Sequence, residues 1–375
     1  MFDRRKNHSW YRILDEEIQA NGGLMNAHLH LDRAGTLEDK FLEQVGHKAT
    51  KNSHISLLRK HSMISDLHNG LAYSEEKFNE RLNAFLEDMA AVNTFRADTL
   101  VDVTKDGLEL TGVERMLKIK QAWEGRIDLR LGSYTPLGFI DSEPERWELF
   151  VEGARKTDFI AALPEADDVD DYPDHIGFSE HCRRTLQLAQ ELGKYIHVHT
   201  DQRNEPTESG TERLIEACRE VGIPESKDGE PSVWAIHLIS PSTYDEARFN
   251  KMVEGMLEFN IGLITCPSAA LGMRMYRPVM TPTYNSIPRV LEMLSAGVQV
   301  RVGSDNICDI CSPSTTADLV DELYVLSASL RFYDPVILAC LGAGKPLSAE
   351  QREFIKDHLD KNDKEIAKFM SRQRK

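Results

Sequence analysis

Eight short apolar runs recur between residue 23 and about residue 330, and longer amphipathic stretches separate them. The runs are Gly23–Leu31, Asp98–Thr104, Ile127–Tyr134, Phe159–Pro164, Lys194–Thr200, Val233–Leu238, Ile261–Thr265 and Val298–Gly303. Several are apolar almost throughout, as strands buried on both faces of a parallel sheet must be. Helical periodicity marks Gly112–Trp123, Ser179–Leu192, Thr211–Val221, Ser242–Phe259 and Ser286–Ala296 between them. Strand and helix alternating about eight times predict an α/β chain closed into a (β/α)8 TIM barrel. The rival, an open doubly wound sheet, lacks its usual mark: no Gly-x-Gly-x-x-Gly turn follows an early strand.

The pattern divides the chain into an N-terminal extension (residues 1–22), a barrel (23–332) and a helical tail (333–375), whose last part, Ser348–Lys375, is rich in Lys, Glu, Asp and Gln. The first crossover, residues 32–97, is too long for one helix and is expected to form a lid or an oligomer surface. In it His47, His54, His61 and His68 recur every seven residues, but Gly46, Asn52-Ser53 and Asn69-Gly70 interrupt any single helix. That series therefore reads as a solvated surface.

The 41% hydrophobic and 28% charged residues are those of a globular chain. A net charge of −16 argues against nucleic acid or an anionic membrane as partner. No apolar run nears the ~20 residues that cross a bilayer, and no apolar segment follows the charged start as in a secretory signal. The six scattered cysteines fit reduced thiols in a cytoplasmic protein, with Cys308 and Cys311 an isolated pair. A small-molecule substrate and a homo-oligomer are the expected partners.

In a barrel of this kind, functional groups gather at the C-terminal ends of the strands. Strand one ends in His28 and His30, which alternation places on one face. Strand five carries His197 and His199, strand six ends in His237, and Asp305 and Asn306 follow strand eight. Singly, each has an ordinary explanation: a hydrogen-bonded core histidine, or a turn aspartate. Jointly they do not, because several imidazoles and a carboxylate buried at one mouth cost free energy unless a cation pairs with them. The constellation predicts a site for a divalent metal.

The order and spacing of these motifs resemble the amidohydrolase superfamily, in its cytosine deaminase-like branch, over roughly residues 23 to 330. The resemblance rests on Ala27-His28-Leu29-His30-Leu31-Asp32, Leu100-Val101-Asp102-Val103-Thr104, Ile127-Asp128-Leu129-Arg130, Ile196-His197-Val198-His199-Thr200-Asp201, His237 and Val302-Gly303-Ser304-Asp305-Asn306. It implies that His28, His30, His199 and Asp305 hold one ion, zinc or iron, with manganese a third choice. It implies that His237 orients the water and that Asp305 takes and returns its proton. A divalent cation lowers the pKa of bound water from ~15.7 to ~7. The implied activity is a mononuclear metal-dependent hydrolase that cleaves a C–N bond (amide, lactam or amidine) in a small nitrogenous compound.

The chain departs from that branch at Gln202, where the deaminases carry a glutamate that shuttles protons. A neutral amide holds a substrate but carries no proton at neutral pH. Three readings follow. Asp305 alone serves as base and acid, which suits an amide or lactam. Alternatively Asp201, Glu205 or Glu165 substitutes, and the chain deaminates a nucleobase or triazine. In the third, the barrel binds metal but is catalytically inert. Gln202, Glu165 and Asn306 are candidate substrate contacts; Glu165 is also placed to bridge a second metal. Arg274 and Arg277 offer cations for a substrate carboxylate. The small β-sandwich that family members build from their termini is expected to be absent or vestigial.

Overall fold

The computed structural model describes residues 7–43, 55, 60–61, 63–273 and 286–373. Its strands are β1 (Leu24–Leu29), β2 (Thr94–Asp102), β3 (Asp128–Tyr134), β4 (Phe159–Ala162), β5 (Ile196–Thr200), β6 (Val233–His237), β7 (Ile261–Thr265) and β8 (Val300–Val302). All neighbours pair in parallel, in sequence order. The expected barrel is what the sequence forms.

Closure between β8 and β1 depends on the residues that carry the candidate site. Asp305 N donates to His28 O at 2.9 Å, and His30 N donates to Asp305 O at 3.1 Å. Lower down, the Asn26 side chain spans the seam, donating to Ser304 Oγ at 2.7 Å and accepting from Ser304 N at 3.1 Å. Gly303 permits this approach, since a Cβ there would stand 2.6 Å from His28 O. Closing the seam leaves no edge strand and sets His28 against Asp305 in one step.

Inside the barrel, Met25, Ala27, Trp234, Ile236 and Ile264 form one apolar layer, and Leu100, Tyr134, Phe159, Ala161 and Leu163 another. Both are buried, so the barrel interior is a packed core and not a pore. The helices pack outside. Helix Glu246–Glu258 starts later than its periodicity predicts, because Asp245 caps it by accepting from Arg248 N at 2.8 Å. Likewise Pro288 delays the helix expected from Ser286, which begins at Val290. Helix Ser9–Ala20 packs against Pro335–Gly342, whose Ile337, Leu338 and Leu341 are buried. Ala349–Gln373 is one long, mostly exposed helix. Among the described residues every named strand belongs to the barrel sheet, and no helix is long and apolar enough to cross a membrane.

Candidate metal centre

β1 delivers His28, and His30 follows one step beyond its end. β5 delivers His199 and β6 ends in His237. Asp305, after β8, has its backbone in the left-handed region (φ 61°), and so does His237 at the end of β6 (φ 78°). Aspartate tolerates that conformation better than most residues; for histidine it is uncommon, and such backbone collects at functional sites. His28, His30 and His199 each present one nitrogen, all within 4.8 Å of one another. Asp305 Oδ1 lies 3.4 Å from His30 Nε2 and 3.9 Å from His28 Nε2. Two ligands ~2.1 Å from one tetrahedral ion stand about 3.4 Å apart.

A backbone hydrogen bond sets the tautomer of His199. His199 Nδ1 donates to Ala162 O at 2.9 Å, and His28 Nδ1 lies 3.4 Å from His197 Nδ1. With its proton on Nδ1, His199 has a lone pair on Nε2, and the Nε2 atoms of both His28 and His199 are buried without a hydrogen-bond partner among the described residues. Burial and the neighbouring imidazoles push His28 and His199 well below the ordinary histidine range, and burial also lowers His237. Burial acts on Asp305 the other way, but the His30 hydrogen bond and the charges of His237, His30 and His199 hold its carboxyl below the usual range. Imidazoles exert that pull only when protonated, which burial opposes. A cation among the four resolves the conflict, so these residues fit a divalent metal on their own chemistry.

A cavity of about 450 Å³ opens over this set, within the range of small-molecule sites. His30, His199, His237 and Asp305 line its inner part, and Tyr134, Arg33, Glu165, Gln202 and Asn306 its sides. A larger hollow of about 650 Å³ lies at the opposite end, beside the start of β3. Its described lining combines the buried Ile127 and Leu129 with surface residues such as Lys120, Glu124, Arg126 and Asp128, and includes no histidine.

A buried charge network supports the mouth. The turn after His30 brings Arg33 onto Asp102, with Nε 2.7 Å from Oδ2 and Nη2 2.5 Å from Oδ1. The guanidinium lies 5.4 Å from the centre of the Tyr134 ring, which in turn packs 5.1 Å from His30 and 5.4 Å from His199. His68 completes the network: Nε2 is 3.0 Å from Asp102 Oδ2 and Nδ1 2.8 Å from Asp106 Oδ2. This corrects the reading of the seven-residue histidine series as a solvated surface. His68 is only 6% exposed, because its partners come from the end of β2, which local spacing does not reveal. His61 lines the cavity; His47 and His54 lie outside the described residues.

Burial lowers the His68 pKa, but the Asp102 and Asp106 hydrogen bonds and charges outweigh it and raise the ring to about 9. A folded-state pKa above the unfolded one stabilises fully below about 6.5 and is lost as pH rises through about 9. We expect the unfolding free energy of the wild type, relative to His68→Gln, to fall by up to about 3 kcal/mol between pH 6.5 and 9. Glu165 and Glu322, both pushed up to about 7, titrate in the same window but cancel in the difference. Denaturant titrations of both proteins across that range check this, and parallel curves would remove His68 from the network.

The remaining candidates separate cleanly. Asp201 is bound to the start of helix Gly210–Val221, accepting from Gly210 N at 2.7 Å and Thr211 N at 2.8 Å, and it does not line the cavity. Glu205 does not line it either, and accepts from Thr207 instead. Only Glu165 of the three reaches the cavity. Gln202 Nε2 donates to Glu165 Oε2 at 2.6 Å, and Glu165 Oε1 is buried without a hydrogen-bond partner among the described residues. Asn306 Nδ2 donates to Asp305 Oδ1 at 3.1 Å. Cys308 and Cys311 are free thiols, and Arg274 and Arg277 lie outside the described residues. The sequence reading did not single out Arg33, although an arginine directly after His-x-His-x-Asp, with an aspartate ending strand two, was the available signal.

No family model matches the chain. An uncharacterised protein of Haemophilus influenzae is 28% identical over 286 residues, 76% of this chain and 95% of that protein. Among solved structures, 5-methylcytosine deaminase from Klebsiella pneumoniae, liganded with 5-fluorocytosine, matches with a TM-score of 0.69 and 22% identity, over 86% of this chain and 77% of that one. The chain shares its barrel fold. The N-isopropylammelide isopropylaminohydrolase of Burkholderia multivorans matches with a TM-score of 0.63 and 18% identity, over 86% and 73% of the two chains. A variant of atrazine chlorohydrolase from Arthrobacter aurescens TC1, complexed with zinc and atraton, matches with a TM-score of 0.53 and 14% identity, over 84% and 65%.

Proposed function

We propose that this chain is a metal-dependent hydrolase of the amidohydrolase superfamily, in its cytosine deaminase-like branch, and that it cleaves a C–N bond in a small nitrogenous compound. One observation carries the reading: buried imidazoles with unpartnered nitrogens converge beside Asp305 at the inner end of a cavity of about 450 Å³. His28, His30, His199 and Asp305 would hold one divalent ion, zinc first, then iron or manganese. Such an ion supplies Lewis acidity and a water of lowered pKa. Asp305, which faces both His30 and the cavity, takes the proton from the attacking water and later releases it. His237, kept neutral by burial, orients that water or the developing oxyanion. Gln202 and Asn306 line the cavity with neutral amides and are proposed to grip the ring or amide groups of the substrate.

Amide, lactam and amidine hydrolysis all fit these roles. Deamination of a nucleobase or triazine is the second reading, favoured by a carboxyl, Glu165, that reaches the cavity beside Gln202. The test is elemental analysis of the purified protein, followed by a screen of lactams, hydantoins, aminotriazines and nucleobases. We expect about one equivalent of a divalent transition metal per chain and release of amine or ammonia that stops on chelation. A protein that takes up no zinc, iron or manganese and cleaves nothing in the screen overturns the reading.

A further inference from the structure

Among the described residues, three carboxyl groups line the cavity: Asp305, Asp171 and Glu165. Asp305 belongs to the metal set. Asp171 is paired with Arg203. Glu165 remains without an assigned task, yet its surroundings are specific. It follows Pro164 in the short turn Pro164–Asp167 at the end of β4. Asp167 pins that turn, accepting from Phe139 N at 2.7 Å and pairing with His175 at 2.7 Å and His181 at 2.6 Å. The turn is therefore a rigid part of the mouth and not a free loop.

The two oxygens of Glu165 differ. Oε2 accepts from Gln202 Nε2 at 2.6 Å, whereas Oε1 is buried with no hydrogen-bond partner among the described residues. A proton on this carboxyl belongs on Oε1, because Oε2 already faces a donor. Burial, reinforced by the charge of Asp201 and opposed by Arg203, pushes the carboxyl up to about 7. Among the described carboxyls of the cavity, Glu165 is the one that neither joins the proposed ligand set nor forms an ion pair with an arginine, so it is free to act on a substrate there.

Resting on the hydrolase reading above, we propose that Glu165 is the acid that protonates the leaving nitrogen, with Gln202 as the positioning residue that holds its carboxyl. The step balances. Water oxygen forms the new C–O bond, and one water proton passes to Asp305. The electron pair of the breaking C–N bond goes to nitrogen, which takes the proton from Glu165. The proton on Asp305 then restores Glu165 through solvent, so one proton of water ends on the amine and no oxidant or reductant is needed. Gln202 thus stands where a second carboxylate would repel Glu165, and it steers the proton to Oε1.

Glu165→Gln keeps the shape and removes the proton. On the best C–N substrate of the screen, kcat is expected to fall ~10²–10⁴-fold. On the corresponding 4-nitrophenyl ester, whose leaving group departs without a proton, the loss should be far smaller. Metal content should match the wild type. Infrared difference spectra at pH 6, taken on metal-free and metal-loaded protein, should show a carboxylic acid band that Glu165→Gln lacks. Glu165→Asp, which retains an acid on a shorter stem, should recover part of the rate.

An unchanged kcat, equal losses on both leaving groups, a fall in bound metal or the absence of that band each overturn the role of Glu165 while leaving an active wild type as evidence for the hydrolase. A metal-loaded wild type that cleaves nothing overturns both.

Discussion

Asp305→Asn should lower kcat by ~10²–10⁴-fold at saturating metal, the usual cost of removing a positioned general base. The carboxylate is the group that faces both the imidazole cluster and the cavity, 3.4 Å from His30 Nε2. Asparagine presents an oxygen in the same place but accepts no proton. The fold should persist, because the seam bonds from His30 N and to His28 O use the backbone of residue 305 and not its side chain. Asparagine also tolerates the left-handed backbone that residue 305 adopts at φ 61°. The measurement is kcat on the best substrate of the screen, with circular dichroism and metal content on the same preparation. Turnover within tenfold of wild type at full metal occupancy would take Asp305 out of the proton transfer and return that task to another group.

The ligand candidates were legible in the sequence because two regularities coincide. Period-two alternation puts His28 with His30, and His197 with His199, on one face, and a barrel gathers strand ends at one mouth. Asp305 and His237 follow from the same rule, and the eight strands from their apolar runs. What the sequence did not reveal are pairings between separate crossovers. Asp102 was visible as a strand-two residue, but that Arg33 and His68 both converge on it depends on how the first crossover folds back, and no local spacing encodes that. The same holds for Gln202 and Glu165, which are 37 residues apart and meet only because β4 and β5 are neighbours in the sheet. Asp201 misled for the opposite reason. Its position beside Gln202 looked chemical, but a side chain that accepts from Gly210 N and Thr211 N is spent on a helix start. His197 shares the strand face of His199 but lies deeper, with its Nδ1 3.4 Å from the Nδ1 of His28, so it packs behind the proposed ligand set and is not part of it.

The metal should also be a structural element, and His28→Ala separates the two roles. A ligand that binds only the folded state stabilises it by RT ln(1 + [L]/Kd), about 4 kcal/mol when free metal stands at a thousand times Kd. In this chain the effect should be large, because the metal would satisfy the buried nitrogens of His28 and His199 and the carboxylate of Asp305 together. We expect chelation to lower the melting temperature of the wild type by several degrees and stoichiometric zinc to restore it. His28→Ala removes a fully buried ring and will cost packing energy whether or not metal binds. The informative quantity is therefore the difference between metal-loaded and metal-free protein within each variant, in which the packing cost cancels. That difference should collapse in His28→Ala and persist in His68→Gln, because His68 pairs with Asp102 and Asp106 and holds no place in the ligand set. A wild type whose melting temperature is indifferent to both chelator and zinc would leave the buried imidazoles without a counter-charge. The low proton affinities that burial imposes on His28 and His199 would then have to be met by neutral hydrogen bonding alone, which the unpartnered Nε2 atoms do not provide.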